Sequence, residues 1–286
     1  MHEEKKEINV KYKDRLFNFI FGSEENREWT LSLYNAINGS DYKDASVIKF
    51  NTLDDVLFMG MKNDTSFLIS WTLNVYEHQS TYNRNMPLRL LEYLSDLYSG
   101  YISQNRLNKY SSKLIKLPVP KLVVFYNGSQ SVEDEIILRL SDAFDKSVRD
   151  EADVEVRVRM LNINFGHNKK LLEACKPLME YSWFIEEVRK NRKECDLDTA
   201  VEKALKSMDD SFIIRGFLIR NRAEVKGMLD TEYNEAEVME MFKEEAREEG
   251  REEERANTLK AEKRAAEAEL RAERAEKMLR EMGVMI

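Results

Sequence analysis

Apolar residues along this chain follow two different periods, which predict a mixture of helices and strands. The helical period of three to four residues covers 11–36, with an end near Gly39, then about 87–106 and most of 168–230. Strands are predicted from short apolar or alternating runs, which lie within 46–59 and over 65–79, 121–126 and 155–163. Because the two kinds of element are mixed along the chain, we predict the α/β class.

The helix predicted over about 87–106 begins with Pro87, a residue that the first turn of a helix accepts. One face of this helix carries apolar side chains at helical spacing, namely Leu88, Leu91, Leu94, Leu97 and Tyr98. This helix follows the predicted hairpin over 65–79 along the sequence.

Three polar residues of the hairpin are predicted to share one face. Side chains alternate between the two faces of a strand, so Glu77 and Gln79 point one way and His78 the other. A turn centred between residues 71 and 72 pairs Asp64 with Gln79, and Ser66 with Glu77. Asp64, Glu77 and Gln79 then converge, although a one-residue change of register would separate them.

Two carboxylates on adjacent strands are a common arrangement for holding a hard divalent cation. Mg²⁺ binds through one or two carboxylates, together with water and substrate oxygens. Asp64 and Glu77 therefore predict a metal-dependent hydrolase that uses Mg²⁺ or Mn²⁺. The alternative interpretation is the polar face of an ordinary hairpin, because carboxylates are common on exposed strands.

Asp64, the Glu77-x-Gln79 motif, and Arg89 with Tyr93 in the following helix occur in an order that resembles a known family. Further similar segments are Lys13–Phe17 with Phe21-Gly22, Glu77–Asn83, Asn85–Arg89, Pro118–Gly128 and Asn162–Asn164. This ordered set is similar to the PD-(D/E)xK nucleases of the transposase-like branch, also called recombination-promoting nucleases. The similarity extends over most of residues 11–235, and the ordered set is much more specific than the short Asp…Glu-x-Gln core.

The resemblance implies a restriction-endonuclease-like core, in which helices flank a central mixed sheet. It also implies catalytic roles for Asp64, Glu77 and Gln79, with Asp64 and Glu77 as the metal ligands. Gln79 stands where the wider superfamily has lysine. Glutamine can orient a water or a phosphate oxygen but carries no charge, so a slow or partner-activated enzyme is expected.

Each candidate residue also has a simpler interpretation. Asp14 matches a position that supplies either a further acidic ligand or a structural cap. Arg89 contacts phosphate or forms a surface salt bridge, and Tyr93, one turn later, binds the same substrate or packs. Gln79 is otherwise a polar hairpin residue, and we interpret His78 as a packing residue.

Charge and composition limit the partners. The net charge of −8 argues against a protein that coats nucleic acid nonspecifically, but a local basic groove can coexist with it. Five basic residues near the hairpin and its following helix predict such a DNA-binding groove, or else a charged surface: Arg84, Arg106, Lys109, Lys113 and Lys116.

Cys175 and Cys195 lack a metal-ligand pattern and are expected to be free thiols. No signal peptide or membrane span is apparent, so we expect a cytoplasmic protein without a membrane partner.

Three regions are predicted. Residues 1–165 form the nuclease-like core, 166–234 a helical region packed on it, and 235–286 a charged tail. The tail holds 16 acidic and 11 basic residues, and its i,i+4 charge pairs favour helix. Its apolar positions are too sparse to distinguish a single extended helix from a weak coiled coil or disorder. Homo-oligomerisation through the core or this tail is a further expectation.

The sequence therefore predicts a metal-dependent DNA endonuclease, linked through its resemblance to recombination or mobile elements. The rival hypothesis is a binding or regulatory module that keeps the nuclease scaffold, has lost activity, and acts through partner contacts of its tail. The missing lysine and the acidic net charge favour the rival, whereas the Asp64…Glu77-x-Gln79 set favours the enzyme.

Overall fold

The computed structural model describes residues 16–50 and 64–234, together with a few residues between 247 and 258. The chain divides into two compact units, over 1–234 and 235–286. Asp14 lies outside the described residues, as does most of the segment 46–59 that was predicted to contain a strand. Among the residues that the structure describes, no helix is long and apolar enough to cross a membrane.

A six-stranded mixed sheet forms the centre of the first unit, in the order β1-β2-β3-β4-β6-β5. The strands are β1 (Ile48–Phe50), β2 (Asp64–Ile69), β3 (Thr72–Gln79), β4 (Val119–Tyr126), β5 (Glu135–Arg139) and β6 (Arg157–Asn162). Strands β3, β4 and β6 run parallel, while β1, β2 and β5 pair antiparallel with their neighbours. The predicted α/β class is confirmed by this arrangement.

Helices cover both faces of the sheet. One face carries α3 (Met86–Gln104), which connects the parallel strands β3 and β4. The other face carries α1 (Leu16–Phe21), α2 (Arg27–Asn38), α4 (Lys169–Ala174), α5 (Lys176–Arg192), α6 (Leu197–Ser207), α7 (Arg215–Arg220) and a helix over 222–234, which we call α8. Parallel strands need such cover because both of their faces are buried.

Aromatic side chains fill the core beneath the helix-rich face. The Phe17 ring of α1 lies 4.8 Å from that of Phe125 in β4, measured between centroids. Tyr76 of β3 meets Phe125 edge to face at 5.4 Å, and Tyr181 of α5 meets Phe17 in the same way at 5.7 Å. Helix α1, which is early in the sequence, and helix α5, which is late, therefore pack into the same core against β3 and β4.

Local signals explain several helix ends. Helix α2 ends at Gly39, whose φ of 63° lies in the left-handed region that suits glycine, as the sequence predicted. Helix α6 begins after Asp196, whose carboxylate accepts a hydrogen bond from the Thr199 amide at 2.9 Å. Pro87 lies in the first turn of α3, again as predicted.

The hairpin turn differs from the prediction by one residue. It is formed by Ser70 and Trp71 rather than centred between residues 71 and 72, so Asp64 pairs with Glu77, and Ser66 with Val75. Ser70 has a φ of 54°, a left-handed conformation typical of tight hairpin turns. Trp71 is 60 % exposed at this turn, so most of its side chain faces solvent.

Two further predictions need correction. Leu88 was assigned to the apolar face of α3 but is 49 % exposed, and that face is instead formed by residues including Leu90, Leu94 and Leu97. Strand β5 was not predicted. It is an edge strand whose central Ile137 is exposed, so it has no continuous buried apolar run that would indicate a strand.

The charged tail contributes few described residues. Those between 247 and 258 are helical, and the Thr258 hydroxyl donates to the Glu254 carbonyl oxygen at 2.9 Å, a bond within one helical turn. The remainder of 235–286 lies outside the described residues. A coiled coil and self-association through the tail therefore stay predictions.

Candidate active site

A buried carboxylate lies at the end of the central strand β3. Glu77 is 2 % exposed and Gln79, two residues later on the same face, is 5 % exposed. The Gln79 amide donates to Glu77 Oε1, and Arg89 Nη2 donates to the same oxygen at 2.9 Å. One carboxylate oxygen thus accepts from a neutral and a cationic donor.

Helix α3 supplies the cation. Because α3 begins at Met86, Arg89 lies in its first turn, where the helix leaves the hairpin. The Arg89 side chain is half-buried, whereas that of Glu77 is buried. Burying an ionised carboxylate is costly unless it is paired and hydrogen-bonded, so Arg89 offsets much of the cost of placing Glu77 inside the protein.

The observed register still brings the proposed metal ligands to neighbouring positions. Asp64 is the first residue of β2 and pairs directly with Glu77 in the antiparallel ladder. Directly paired residues of antiparallel strands belong to the same face of the sheet. The difference from the predicted register is two residues along β3, an even number, so Asp64, Glu77 and Gln79 keep positions on one face.

Tyr93 lies in the core between α3 and the sheet. It is buried among apolar residues that include Leu90 and Leu94. Substrate binding and packing were the two roles predicted for Tyr93, and its buried position agrees with packing. The sequence had placed it one helical turn from Arg89 on the same face, and the structure places both on α3.

His78 lies on the opposite face of β3, as strand alternation predicted. Its Nε2 is 3.1 Å from the Tyr181 hydroxyl, and its ring stacks on Phe17 with 5.3 Å between centroids. The interpretation of His78 as a packing residue is confirmed by these contacts.

The five basic residues predicted to form one groove lie at two ends of α3. Arg84 precedes the start of the helix, whereas 106–116 follow its end at Gln104. A helix of 19 residues is about 28 Å long at 1.5 Å per residue. The prediction that all five side chains form a single groove is therefore wrong. Of the five, only Arg84 lies at the end of α3 where Arg89 pairs with Glu77.

A polar network beside Gln79 was missed by the sequence analysis. Asn127, just after β4, donates its backbone amide to the Gln79 carbonyl oxygen at 2.9 Å. Arg189 of α5 donates to the Asn127 carbonyl oxygen and to Asn164 Oδ1 at 2.6 Å. The sequence shows Asn127-Gly128 and Asn164 as polar residues next to predicted strands. It gives no sign that Arg189, far along the chain, contacts them.

Close backbone packing at this network requires glycine at position 128. A Cβ atom added to Gly128 would lie 2.1 Å from the Ser80 carbonyl oxygen, far inside van der Waals contact. The chain after β3 and the chain after β4 are therefore in direct contact at this point. Gln79 is held in place from its backbone as well as from its side chain.

Burial also sets the protonation state of Tyr126, which lies next to Gln79 in the sheet. Tyr126 pairs with Gln79 across β3 and β4, and its hydroxyl donates to the Gln130 carbonyl oxygen at 2.9 Å. Burial raises the pKa of Tyr126 above its usual value, so the hydroxyl stays protonated near neutral pH. The protonated hydroxyl of Tyr126 therefore anchors the loop after β4 through its bond to the Gln130 carbonyl oxygen.

The donor set is compatible with a divalent cation that is completed by substrate. Within 16–50, 64–234 and the few described tail residues, no group of three metal-ligating side chains comes together. Mg²⁺ does not require such a group, because it retains water and binds substrate phosphate oxygens through one or two protein carboxylates. A buried Glu77 with Asp64 at the paired position meets that lower requirement.

Comparison with known proteins assigns no family. No protein-family model, no curated protein and no solved structure matches this chain. Any functional conclusion therefore depends on the residues and their geometry, together with the resemblance of the sequence motifs.

Proposed function

We propose that this chain is a metal-dependent DNA endonuclease with a restriction-endonuclease-like core. The observation that carries the proposal is the buried Glu77 carboxylate, joined to both Gln79 and Arg89 at the end of β3 and paired in the sheet with Asp64. A buried carboxylate with charged and amide partners beside a second carboxylate is typical of sites in which charge is used for chemistry.

In this proposal Asp64 and Glu77 hold Mg²⁺ or Mn²⁺. When bound, the cation supplies electrophilic polarisation of the phosphodiester and activates water at neutral pH. Glu77 keeps a fixed direction because Gln79 and Arg89 both bond its Oε1. Preorganisation of this kind removes the cost of reorienting the ligand during the reaction.

Gln79 and Arg89 act on substrate atoms in the same scheme. The Gln79 amide orients the attacking water, but being neutral it stabilises little developing charge. Arg89 is half-buried, so its guanidinium has donors left for a phosphate oxygen after it bonds Glu77. DNA reaches it at the start of α3, where Arg84 adds a positive charge.

Plasmid nicking tests the proposal. Purified wild-type chain should convert supercoiled DNA to the nicked form with Mg²⁺ or Mn²⁺, and chelator should abolish this conversion. Asp64→Asn and Glu77→Gln should each lower the rate by about 100-fold or more, since each removes a ligand charge that the reaction needs. Glu92→Gln is the matched control, because Glu92 is an exposed carboxylate on α3. A folded wild type without metal-dependent nicking would overturn the proposal.

A second candidate function is a binding module on the same scaffold. The observation in its favour is that Glu77 Oε1 is already satisfied by two donors, as in a structural ion pair. Isothermal titration with Mn²⁺ separates the two functions. Binding by the wild type that is lost in Asp64→Asn supports the nuclease, whereas no Mn²⁺ binding at millimolar concentration supports the module.

A further inference from the structure

A second polar site lies on the helix-rich face of the sheet, at the start of the parallel strands. Its cavity of about 420 Å³ is lined by residues of β3, β4, β5 and β6 and by the end of α2. We call it the basic basin and define it by Asn74, Tyr76, Lys121, Arg139, Arg157 and Arg159. Glu77 and Gln79 belong to the opposite face of β3 and to its other end, so the basin is separate from the candidate active site.

Four cationic side chains line the basic basin. Arg159 is neutralised by Glu135, which it contacts at 2.7 and 2.9 Å. Arg139 lies 3.8 Å from Glu155, a loose contact. For Lys121 and Arg157 the described part of the chain offers no acidic partner within salt-bridge distance. The basin therefore keeps an excess of positive charge.

Two of these cations oppose each other directly. Arg139 of β5 pairs with Arg157 of β6 in the antiparallel ladder. Side chains at paired positions lie close together, and like charges at such positions destabilise a sheet. An anion bound between the two guanidinium groups would convert this repulsion into two charge-assisted hydrogen bonds. A bound anion would therefore relieve the repulsion between Arg139 and Arg157.

The floor of the basin carries an unsatisfied acceptor. Asn74 is fully buried, and among the described residues its Oδ1 has no hydrogen-bond partner. Its Nδ2 makes only a long contact of 3.5 Å with the Thr72 carbonyl oxygen. A buried polar atom without a partner is costly, so a group that donates a hydrogen bond is expected at this place.

Tyr76 adds a protonated hydroxyl beside it. Burial raises the pKa of Tyr76 far above its ordinary value, and the neighbouring Asn38 side chain opposes part of this rise. The hydroxyl therefore remains neutral at all physiological pH values. The basin combines a cationic rim of Lys121, Arg139 and Arg157 with a neutral hydrogen-bonding floor of Asn74 and Tyr76.

We propose that the basic basin binds a phosphorylated small molecule of mononucleotide size. The phosphate would bond Arg139 and Arg157, whose planar forks suit its oxygens, and a hydroxyl or amino group would donate to Asn74 Oδ1. The cavity of about 420 Å³ falls within the range of roughly 300–1,000 Å³ that is usual for small-molecule sites. Inorganic phosphate alone would satisfy the rim but leave the floor unpaired.

Calorimetric titration of the full chain tests this proposal with AMP, ADP and inorganic phosphate as probes. We expect AMP or ADP to bind more tightly than inorganic phosphate, because only the nucleotides also reach Asn74. Arg157→Gln should weaken nucleotide binding by about tenfold or more, the usual effect of losing a charge-assisted hydrogen bond. Arg222→Gln, an exposed arginine on α8, is the matched control and should leave the affinity unchanged.

Thermal unfolding supplies a readout that distinguishes a ligand site from a structural role. Without ligand, Arg157→Gln should unfold at the same or a higher temperature than the wild type, since it removes the repulsion from Arg139. Addition of AMP should then raise the unfolding temperature of the wild type more than that of the variant at the same AMP concentration. Failure of all three probes to bind the wild type would overturn the proposal, as would equal affinity in Arg157→Gln. Binding of oligonucleotide but of no small probe would also overturn it.

Discussion

Arg89 and Glu77 form an ion pair that joins the first turn of α3 to the central strand β3, with 2.9 Å between Nη2 and Oε1. The carboxylate is buried and the guanidinium is half-buried. The pair therefore links the start of α3 to the end of β3, where Asp64 and Glu77 occupy paired positions. The same contact that would organise catalysis also contributes to stability, and the two roles can be separated.

Replacement of Arg89 should destabilise the protein, because it leaves the Glu77 carboxylate buried without its cation. We expect Arg89→Ala to lower the free energy of unfolding by about 1–3 kcal/mol. Chemical denaturation measures this loss. Adding Glu77→Gln to the Arg89 variant should restore part of the loss, because the buried charge is then gone. Equal stability of wild type and Arg89→Ala would show that the ion pair contributes nothing.

Glu180 on α5 should be important for the stability of the helical region. Its buried carboxylate accepts from the backbone amides of Ile213 and Ile214, both at 3.0 Å. Glu180→Ala removes both acceptors and leaves two amides near the core unpaired, so we expect a loss of about 1–3 kcal/mol. Glu173→Ala, at an exposed position of α4, should cost much less in the same denaturation experiment.

The same carboxylate predicts a pH dependence. Burial raises the pKa of Glu180 above its ordinary value of 4.5. A raised folded-state pKa means that the folded protein binds this proton more tightly than the unfolded chain does. The resulting stabilisation is complete below pH 4.5 and is lost as pH rises through the folded pKa.

Denaturation of wild type and Glu180→Gln across this pH range isolates that contribution. The stability of the wild type relative to the variant should fall as pH rises, and then level off. A relative stability that rises with pH over the same range would contradict the assigned direction of the shift.

The two cysteines should differ sharply in reactivity. Burial raises the pKa of the Cys175 thiol to about 11, and thiolate is the reactive form. Cys195 is half-buried. With a disulfide reagent at pH 8, we expect one thiol to react in the folded protein and the second only after unfolding. Cys195→Ser should abolish the first reaction; rapid modification of that variant would contradict the burial of Cys175.

Much of the sheet could be predicted because its central strands are signalled locally. The apolar run of β4, bounded by Pro120 and Asn127-Gly128, predicts a buried strand without reference to the rest of the chain. The shared face of Glu77 and Gln79 follows from a period of two. The position of Asp64 on that same face survived the incorrect turn because moving the turn by one residue changes the register by two.

The remaining features depend on information that spacing does not carry. Ser70 adopts a left-handed conformation that is uncommon for a residue other than glycine, so the turn lacked the usual Asn-Gly signal. Leu88 matches the helical period of Leu91 and Tyr98, but the face of α3 that packs against the sheet carries Leu90, Leu94 and Leu97 instead. Arg189 reaches Asn164 from a helix that is placed by tertiary packing alone.

Gly128 has a consequence for sequence variation. Any larger residue would push the Ser80 carbonyl oxygen away and with it the amide–carbonyl bond between Asn127 and Gln79. In a saturation library, position 128 should therefore accept almost no replacement, although it touches no proposed substrate. A residue without a side chain would then appear, from functional selection alone, as strictly required as the carboxylates.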